Sequence, residues 1–251
     1  MSSSTTRTFA VINYKGGTGK TSTAINVAHG LSLKGKRVLL VDTDPQGSIS
    51  HYFGIKPIKT LYDLIIKNDA IEDCIVNLRY NLDAILSNER VFPAEIKMAR
   101  ENQREYLVSK ALAPLKGYDF VLIDCAPSMN ILNQNALLYA QELLLPVSME
   151  YLSLIGVKQL LKNIKIINKL FNKKTKISKV IPTFYDKRNK KSKDILESLK
   201  RVFPNIVSEP VGVNVRMSEA PGKKMTIFEY DPNSSVAGDY FLIVEEILKH
   251  G

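Results

Sequence analysis

The chain has 251 residues, of which 45% are hydrophobic and 24% are charged. These fractions are ordinary for a soluble globular protein, and they exclude a fibrous chain, a wholly disordered chain and a disulfide scaffold. The net charge of +10 fits a polyanionic partner (nucleic acid, an anionic membrane face or phosphates) or a surface that is merely basic.

The two cysteines, Cys74 and Cys125, are isolated from each other and from any flanking histidine pair. We interpret them as small buried hydrophobes in a reducing compartment. The N-terminal residues lead into an apolar run of only about five residues, too short for a signal-peptide core. No apolar stretch approaches the ~18 residues of a membrane span. These features predict a cytoplasmic protein.

The first fifty residues predict a strand-helix-strand unit, which is typical of a parallel sheet. A buried strand over residues 9–13 leads into a glycine-rich turn over 14–20. A helix over 21–34 follows, and Gly35 ends it. Residues 36–42 form the second buried strand.

Strands and helices continue to alternate through the rest of the chain. The other predicted strands are 81–87, 118–124, 142–147 and 179–184. The other predicted helices are 61–67, 92–115, 154–171, 192–202 and 236–249. This alternation predicts a single α/β domain over residues 8–251, with a doubly wound, mostly parallel sheet and helices on both faces. A short disordered N-terminus over residues 1–7 is expected to precede it.

The segment Lys15–Thr21, KGGTGKT, lies between the first strand and the first helix. Its glycines allow backbone N–H groups to cradle phosphate oxygens, and the helix N-terminus adds its dipole. Lys20 is placed to neutralise β- and γ-phosphates, and the Thr21 hydroxyl to ligate Mg²⁺. The pattern predicts a P-loop that binds a nucleotide through Gly16, Gly17, Thr18, Gly19, Lys20, Thr21 and Ser22.

This loop departs from the general GxxxxGK[ST] pattern at its first position, where Tyr14 replaces glycine. It also contains a second lysine, Lys15, which has no evident role within its own site. A long cation at the loop entrance could instead reach a phosphate in a facing subunit.

Three acidic residues lie at the ends of predicted strands. Asp42 and Asp44 come at the end of the second strand, and Asp124 ends the strand over 118–124. Ligands of open α/β sheets bind at the carboxyl ends of strands, where carboxylates hold metal-bound waters or orient an attacking water. Any one of the three could instead cap a helix or a turn. Beside a P-loop, Asp124 is predicted to hold Mg²⁺ together with Thr21, and Asp42 and Asp44 to hold metal-bound waters or to orient the attacking water.

These motifs resemble the ParA/MinD class of deviant Walker A ATPases, and most closely its short, Soj-type ParA partition proteins. The resemblance covers nearly the whole chain and is carried by residues 15–21, 38–47, 121–128 and 214–221. It implies a P-loop NTPase fold, ATP and Mg²⁺ as cofactors, and slow hydrolysis of ATP. It also implies a sandwich homodimer in which Lys15 contacts the partner's nucleotide. Lys15, Lys20 and Asp44 are the catalytic residues that it implies.

The same resemblance implies further partners. The ATP-bound dimer is expected to bind double-stranded DNA without sequence preference, and a ParB-like centromere-binding or adaptor protein to stimulate hydrolysis. The cycle would position a plasmid, a chromosome or another cargo over the nucleoid, with no membrane partner. The segment Val211–Val213 lies near the adenine in the family, which implies nucleotide contacts from Gly212 and Val213. Many relatives have Ile-Pro-Arg there.

The excess positive charge lies between residues 158 and 201, where fifteen Lys and Arg residues stand against three acids. Binding to duplex DNA depends mostly on the neutralisation of phosphates. The predicted DNA-binding surface comprises Lys187, Arg188, Lys190, Lys191, Arg216, Lys223 and Lys224, with Arg188 and Arg216 assigned by the resemblance. The lysines at 158, 162, 165 and 169 recur at helical spacing, and are either part of this surface or a solvated helix face.

Two alternatives stay open. A MinD-like membrane ATPase would need an amphipathic C-terminal anchor with basic residues on its polar face. Residues 240–251 carry an acidic pair instead and predict a helix that packs on the core. A non-hydrolysing, DNA-coating adaptor would use ATP only as a structural ligand, and the presence of Lys15, Asp44 and Asp124 argues against it.

Overall fold

The computed structural model of the chain describes residues 5–249, apart from the side chain of Phe92. Seven strands form one sheet: β1 (Arg7–Val11), β2 (Val38–Asp42), β3 (Ile75–Arg79), β4 (Leu82–Ile85), β5 (Phe120–Asp124), β6 (Glu142–Ser148) and β7 (Lys176–Thr183). Their order is β3-β4-β2-β5-β1-β6-β7. All neighbouring pairs are parallel except β3–β4, which is antiparallel. The predicted doubly wound, mostly parallel sheet is therefore confirmed.

Helices cover both faces of this sheet. They are α1 (Lys20–Leu33), α2 (Ser48–Phe53), α3 (Leu61–Ile66), α4 (Ile71–Cys74), α5 (Val91–Met98), α6 (Leu107–Ala111), α7 (Ile131–Tyr139), α8 (Tyr151–Leu170), α9 (Lys190–Val202), α10 (Val215–Glu219), α11 (Ile227–Tyr230) and α12 (Ser235–Lys249). Helices α1 and α12 pack on one face, whereas α7, α8 and α9 pack on the other. Successive residues of β5 point to opposite faces, since Phe120 and Leu122 join one core and Val121 and Ile123 the other.

The prediction of one helix over residues 92–115 is wrong. The structure instead has α5, a 3₁₀ turn over Arg104–Tyr106, and α6. Gln103 has a φ of +53°, a left-handed conformation that a right-handed helix cannot contain. The guanidinium of Arg104 donates a hydrogen bond of 2.9 Å to the carbonyl of Ala99, one of the acceptors freed where α5 ends. The break is thus fixed by a local turn within an otherwise helical pattern.

The N-terminal boundary also differs from the predicted one. β1 begins at Arg7, whose guanidinium forms an ion pair of 2.8 Å with Glu142 and donates a 2.6 Å hydrogen bond to the carbonyl of Ile247. The hydroxyl of Thr6 donates to the carbonyl of Tyr118. Residues 6 and 7 therefore belong to the fold rather than to a disordered segment, while residues 1–4 lie outside the described residues.

The last helix packs on the core, as predicted. The buried residues of α12 are Val236, Ala237, Tyr240, Ile243, Val244 and Ile247. Its acidic pair faces outward, where Glu245 contacts Lys34 and Glu246 contacts the buried Lys179 of β7. Among residues 5–249, no helix is both long and apolar enough to cross a membrane. Residues 250 and 251 lie outside the described residues.

Candidate functional site

Strand register brings the predicted site together at one edge of the sheet. β5 lies between β1 and β2, and its last residue, Asp124, is opposite both Val11 and Asp42. The glycine-rich loop follows β1 directly, so it emerges beside these two acids. Parallel strands place their carboxyl ends at the same edge, which makes this edge the expected ligand site.

The loop between β1 and α1 is held at both ends. The amide of Asn13 donates to the carbonyl of Pro146, and its oxygen accepts from the backbone N–H of Lys15. At the other end, the hydroxyl of Thr183 donates a 2.9 Å hydrogen bond to the carbonyl of Thr18. Gly19 has a φ of +79°, and no side chain caps the start of α1. The first N–H groups of α1 are thus left open to an anion.

Lys20 is buried at the start of α1, with its ammonium 3.1 Å from the carbonyl of Lys15, to which it donates. Burial lowers the pKa of Lys20, and the charges of Asp124 and Asp44 oppose that shift. Within residues 5–249, no carboxylate lies within ion-pair distance of its ammonium. The cation is therefore available to a phosphate.

Asp42 and Asp124 are fully buried, but among the described residues only the carboxylate of Asp42 has hydrogen-bond partners. Its carboxylate accepts from the backbone N–H groups of Asp44 and Ile49, at 2.9 and 3.2 Å. Neither carboxylate oxygen of Asp124 has a hydrogen-bond partner among the described residues. Burying a polar group without a partner costs free energy, so such a group calls for a ligand.

Burial also governs the protonation of the two acids. It raises the pKa of Asp124 to about 7, and the charge of Asp44 adds to the rise, whereas the nearby Thr21 hydroxyl and Lys20 ammonium oppose it. Burial, and then the charge of Asp124, raise the pKa of Asp42 well above its ordinary value. Two neighbouring buried carboxyl groups with raised pKa values are difficult to ionise at the same time. A bound cation would offset their negative charges.

The donor set fits Mg²⁺ in particular. Mg²⁺ is usually held by one or two carboxylates together with substrate phosphates and waters, rather than by an all-protein cage. Over residues 5–249, there is no group of three or more His, Cys, Asp or Glu side chains that could hold a metal unaided. Thr21, Asp42 and Asp124 would supply the protein side of such a site.

The titration of Asp124 predicts a pH dependence of the ligand-free protein. Because its folded pKa is raised, the folded state binds the proton more tightly than the unfolded chain does. The resulting stabilisation is complete below pH 4 and is lost as the pH rises to about 7. We expect the free energy of unfolding in urea and chelator to fall by about 2–3 kcal/mol more between pH 5 and pH 7 in the wild type than in Asp124→Asn. The exposed control Glu197→Gln should keep the wild-type slope, and equal slopes in all three proteins would contradict the assignment.

Asp44 lies in a tight turn directly after Asp42. It is half-buried, and its carboxylate accepts a 2.9 Å hydrogen bond from the backbone N–H of Gln46. Gly47 closes the turn with a φ of +58°, and a Cβ atom there would lie 2.8 Å from the carbonyl of Ser87. The turn is therefore wedged between the end of β2 and the segment after β4, which leaves Asp44 at the mouth of the site.

Lys15 turns away from its own loop. Its ammonium forms an ion pair with Glu150, at the start of α8, and donates a 3.2 Å hydrogen bond to the hydroxyl of Ser153. Ser153 in turn shares a hydrogen bond of 2.8 Å with Ser148. Nothing in the sequence pattern identified Glu150 as a partner of Lys15, because the two are 135 residues apart.

A cavity of about 460 Å³ adjoins the loop at Gly19 and Ser22. Its wall includes the predicted residues Gly212 and Val213, and also Phe184 and Tyr240, which sequence reasoning missed. The segment 211–213 is fixed by hydrogen bonds at three successive residues. Val211 accepts from the N–H of Tyr185, Gly212 donates to the carboxylate of Asp239 at 2.9 Å, and Val213 donates to the carbonyl of Tyr185.

Most of the predicted DNA-binding residues lie on two neighbouring segments. Lys187 and Arg188 follow β7, and Lys190 and Lys191 form the start of α9. The exposed guanidinium of Arg188 pairs with Asp186, whose pKa it lowers to about 2. Arg216, on α10, pairs with Glu219 and Asp231. The Tyr185–Val213 hydrogen bond joins the chain just before Arg188 to the chain just before Arg216.

Lys224 contacts other elements. The side chain of Lys224 lies against Gly54, at the end of α2, and its carbonyl accepts from the guanidinium of Arg79 on β3. β3 and β7 are the opposite edges of the sheet. Lys224 therefore lies beside β3, whereas Arg188 follows β7.

Proteins similar to this chain match nearly all of its length. A family model described as an AAA domain matches residues 6–177. The chain is 36% identical to the sporulation initiation inhibitor protein Soj of Bacillus subtilis (strain 168), covering 96% of this chain and 98% of that protein. It is 34% identical to the chromosome partitioning protein ParA of Caulobacter vibrioides (strain NA1000 / CB15N), covering 99% and 96% respectively.

A solved structure shares the whole architecture. Cobyrinic acid a,c-diamide synthase from Mycobacterium smegmatis, with bound ADP and magnesium, superposes with a TM-score of 0.85 at 28% identity, covering 98% of this chain and 95% of that one. The full-length identity to Soj and ParA is higher than this. On the strength of that identity and this fold, the chain belongs to the ParA/MinD family of P-loop ATPases, as a Soj-type member.

Proposed function

We propose that the chain is a partition ATPase that binds ATP and Mg²⁺ at the edge formed by β1, β2 and β5. The observation that carries this proposal is the buried carboxylate of Asp124, which has no hydrogen-bond partner among residues 5–249 and lies near the ammonium of Lys20. A magnesium-bound triphosphate would satisfy both groups at once. The chain's relatives, one of them named for chromosome partitioning, support the same activity.

Each residue of the edge has a role in this reaction. The backbone of residues 15–19 cradles the phosphates, and Lys20 neutralises their charge. Thr21, Asp42 and Asp124 hold Mg²⁺, which when bound polarises the phosphate oxygens and offsets the charge that develops on them. Asp44, at the mouth, orients the attacking water. Lys15 is the catalytic residue that acts across a homodimer. Its ammonium would break its ion pair with Glu150 and contact the nucleotide bound by the other subunit.

The cavity beside Gly19 is proposed to hold the adenosine, with Gly212 and Val213 as base contacts. Asp239 positions this wall, because its carboxylate accepts from the N–H of Gly212. We expect Asp239→Ala to raise KM for ATP about tenfold, the effect of losing a hydrogen bond to a charged acceptor, with kcat nearly unchanged. Asp239→Asn retains an acceptor and should restore KM. Steady-state ATPase kinetics measure both, and a fall in kcat alone would contradict the positioning role.

DNA binding is proposed to follow ATP binding. The exposed residues Lys187, Arg188, Lys190, Lys191 and Arg216 form the main phosphate-binding surface, and Lys223 and Lys224 a second contact. Arg188 and Arg216 each form an ion pair with a carboxylate, and DNA phosphates would replace these carboxylates.

The test of this proposal is binding to random-sequence duplex DNA across a salt series, with ATP, with ADP and without nucleotide. We expect tight, steeply salt-dependent binding with ATP only. The double variant Arg188→Ala/Arg216→Ala should weaken ATP-dependent DNA binding about tenfold to a hundredfold. It should also reduce by about two the slope of log affinity against log salt concentration. Arg100→Ala, an exposed control far from both segments, should change neither. Equal binding in all three nucleotide states would rule out the ATP-gated cycle.

A ParB-like centromere-binding or adaptor protein is proposed to stimulate hydrolysis and so to release the DNA. The cargo would be a plasmid, a chromosome or another assembly positioned over the nucleoid in the cytoplasm. Of the two alternatives, a MinD-like membrane anchor is not favoured, since the apolar face of α12 is packed against α1. Measured turnover of ATP would exclude the non-hydrolysing adaptor.

A further inference from the structure

The outer face of α8 carries two parallel rows of side chains. One row is basic and exposed, and comprises Lys158, Lys162, Lys165 and Lys169. The other is apolar, with exposed fractions between 45% and 71%, and comprises Leu152, Ile155, Ile166 and Leu170. At 100° per residue, the rows occupy adjacent arcs of about 60° each. These eight residues are called the α8 stripe below.

The apolar row of the stripe has no role in the core of the chain. The opposite side of α8 already packs on the sheet through Val157, Leu160, Ile164 and Ile167, which are buried. Single exposed hydrophobic residues are common, but here they form two pairs, Leu152 with Ile155 and Ile166 with Leu170, separated by the hydrogen-bonded Gln159 and Asn163. Covering such apolar side chains lowers the free energy, because it removes their surface from water.

The basic row is equally unpartnered. The sequence of α8 contains no Asp or Glu. Within the part of the chain that the structure describes, none of the four lysines takes part in an ion pair. The stripe therefore offers four free positive charges beside an uncovered apolar row.

We propose that the α8 stripe docks an amphipathic helix of a partner protein, one that carries an apolar row flanked by acidic residues. Such a helix would cover the apolar row and pair its acids with the lysines. DNA would use the lysines but leave Ile155, Ile166 and Leu170 in water. A second copy of this chain would bring lysines against lysines. The proposal does not rest on the ATP site, because neither row contributes to it.

The test uses a labelled synthetic helix of about 20 residues, with leucines at a and d positions and glutamates at e and g, in fluorescence anisotropy. We expect saturable binding to the full chain that weakens as salt rises. Ile166→Ser with Leu170→Ser should weaken it at least tenfold, as should Lys162→Glu with Lys169→Glu. Ile58→Ser with Lys116→Glu, exposed residues elsewhere, should leave it unchanged. All replaced side chains are exposed, and circular dichroism verifies the fold.

Several results would overturn the proposal. One is no saturable binding of the helix, and another is equal binding by the stripe variants and the control. Random duplex DNA and vesicles of phosphatidylglycerol serve as rival probes. Binding of either that depends on the lysines, without binding of the helix, would reassign the stripe to DNA or to a membrane surface.

Discussion

Replacing Lys20 with alanine is expected to weaken ATP binding by at least about a hundredfold, and with it to remove both turnover and ATP-dependent DNA binding. Lys20 is buried and has no carboxylate within ion-pair distance among the described residues, so its ammonium is the charge that a triphosphate would meet inside the loop. Removing one member of a buried charge pair costs about 2–5 kcal/mol, because the other member is left unpaired. Titration calorimetry with ATP and Mg²⁺ measures the change.

The matched control for Lys20→Ala is Lys34→Ala. Lys34 follows the end of the same helix, is exposed, and pairs with Glu245 at 3.3 Å. It should leave ATP affinity within about twofold of the wild type, as expected for a surface ion pair. If Lys20→Ala bound ATP as tightly as this control, the proposed phosphate site would be wrong.

Replacing Asp44 with alanine is expected to lower kcat about 10²- to 10⁴-fold while ATP affinity stays near the wild-type value. Asp44 lies at the mouth of the site, and among the described residues its carboxylate accepts only from the N–H of Gln46. Asp42 and Asp124 remain in place to hold Mg²⁺. The variant should therefore bind ATP and then DNA, but hydrolyse the ATP very slowly. It should stay on DNA long after the wild type has dissociated.

Single-turnover hydrolysis and DNA dissociation distinguish a catalytic role of Asp44 from a structural one. Glu72→Ala, at an exposed position on α4, controls for the loss of a surface carboxylate. A variant that hydrolyses ATP at the wild-type rate would remove Asp44 from the mechanism. One that fails to bind ATP at all would assign it to the shape of the turn over residues 44–47 instead.

Local sequence patterns predicted the regular part of the fold well. The apolar runs of β1, β2 and β5 are buried on both faces, and continuous apolar runs are typical of parallel strands. β3 was missed, because it is a short edge strand whose only partner is β4, reached by a two-residue turn with Asn81 at a φ of +57°. α7 was missed as well, although Asn130, which caps it by accepting from the N–H of Asn133, is a recognisable signal.

What the sequence by itself determined is the chemistry of the edge: a glycine-rich loop, Lys20, and acids at strand ends. These residues could be predicted from local spacing, because each follows or ends an apolar run that is recognisable as a strand. The tertiary structure alone decided the rest. Strand register made Asp42 and Asp124 neighbours, while residues distant in sequence supplied Glu150 to Lys15 and Asp239 to Gly212. It also placed Lys224 against Gly54 and Arg79, because contacts between remote segments depend on how the chain packs and leave no periodic pattern in the sequence.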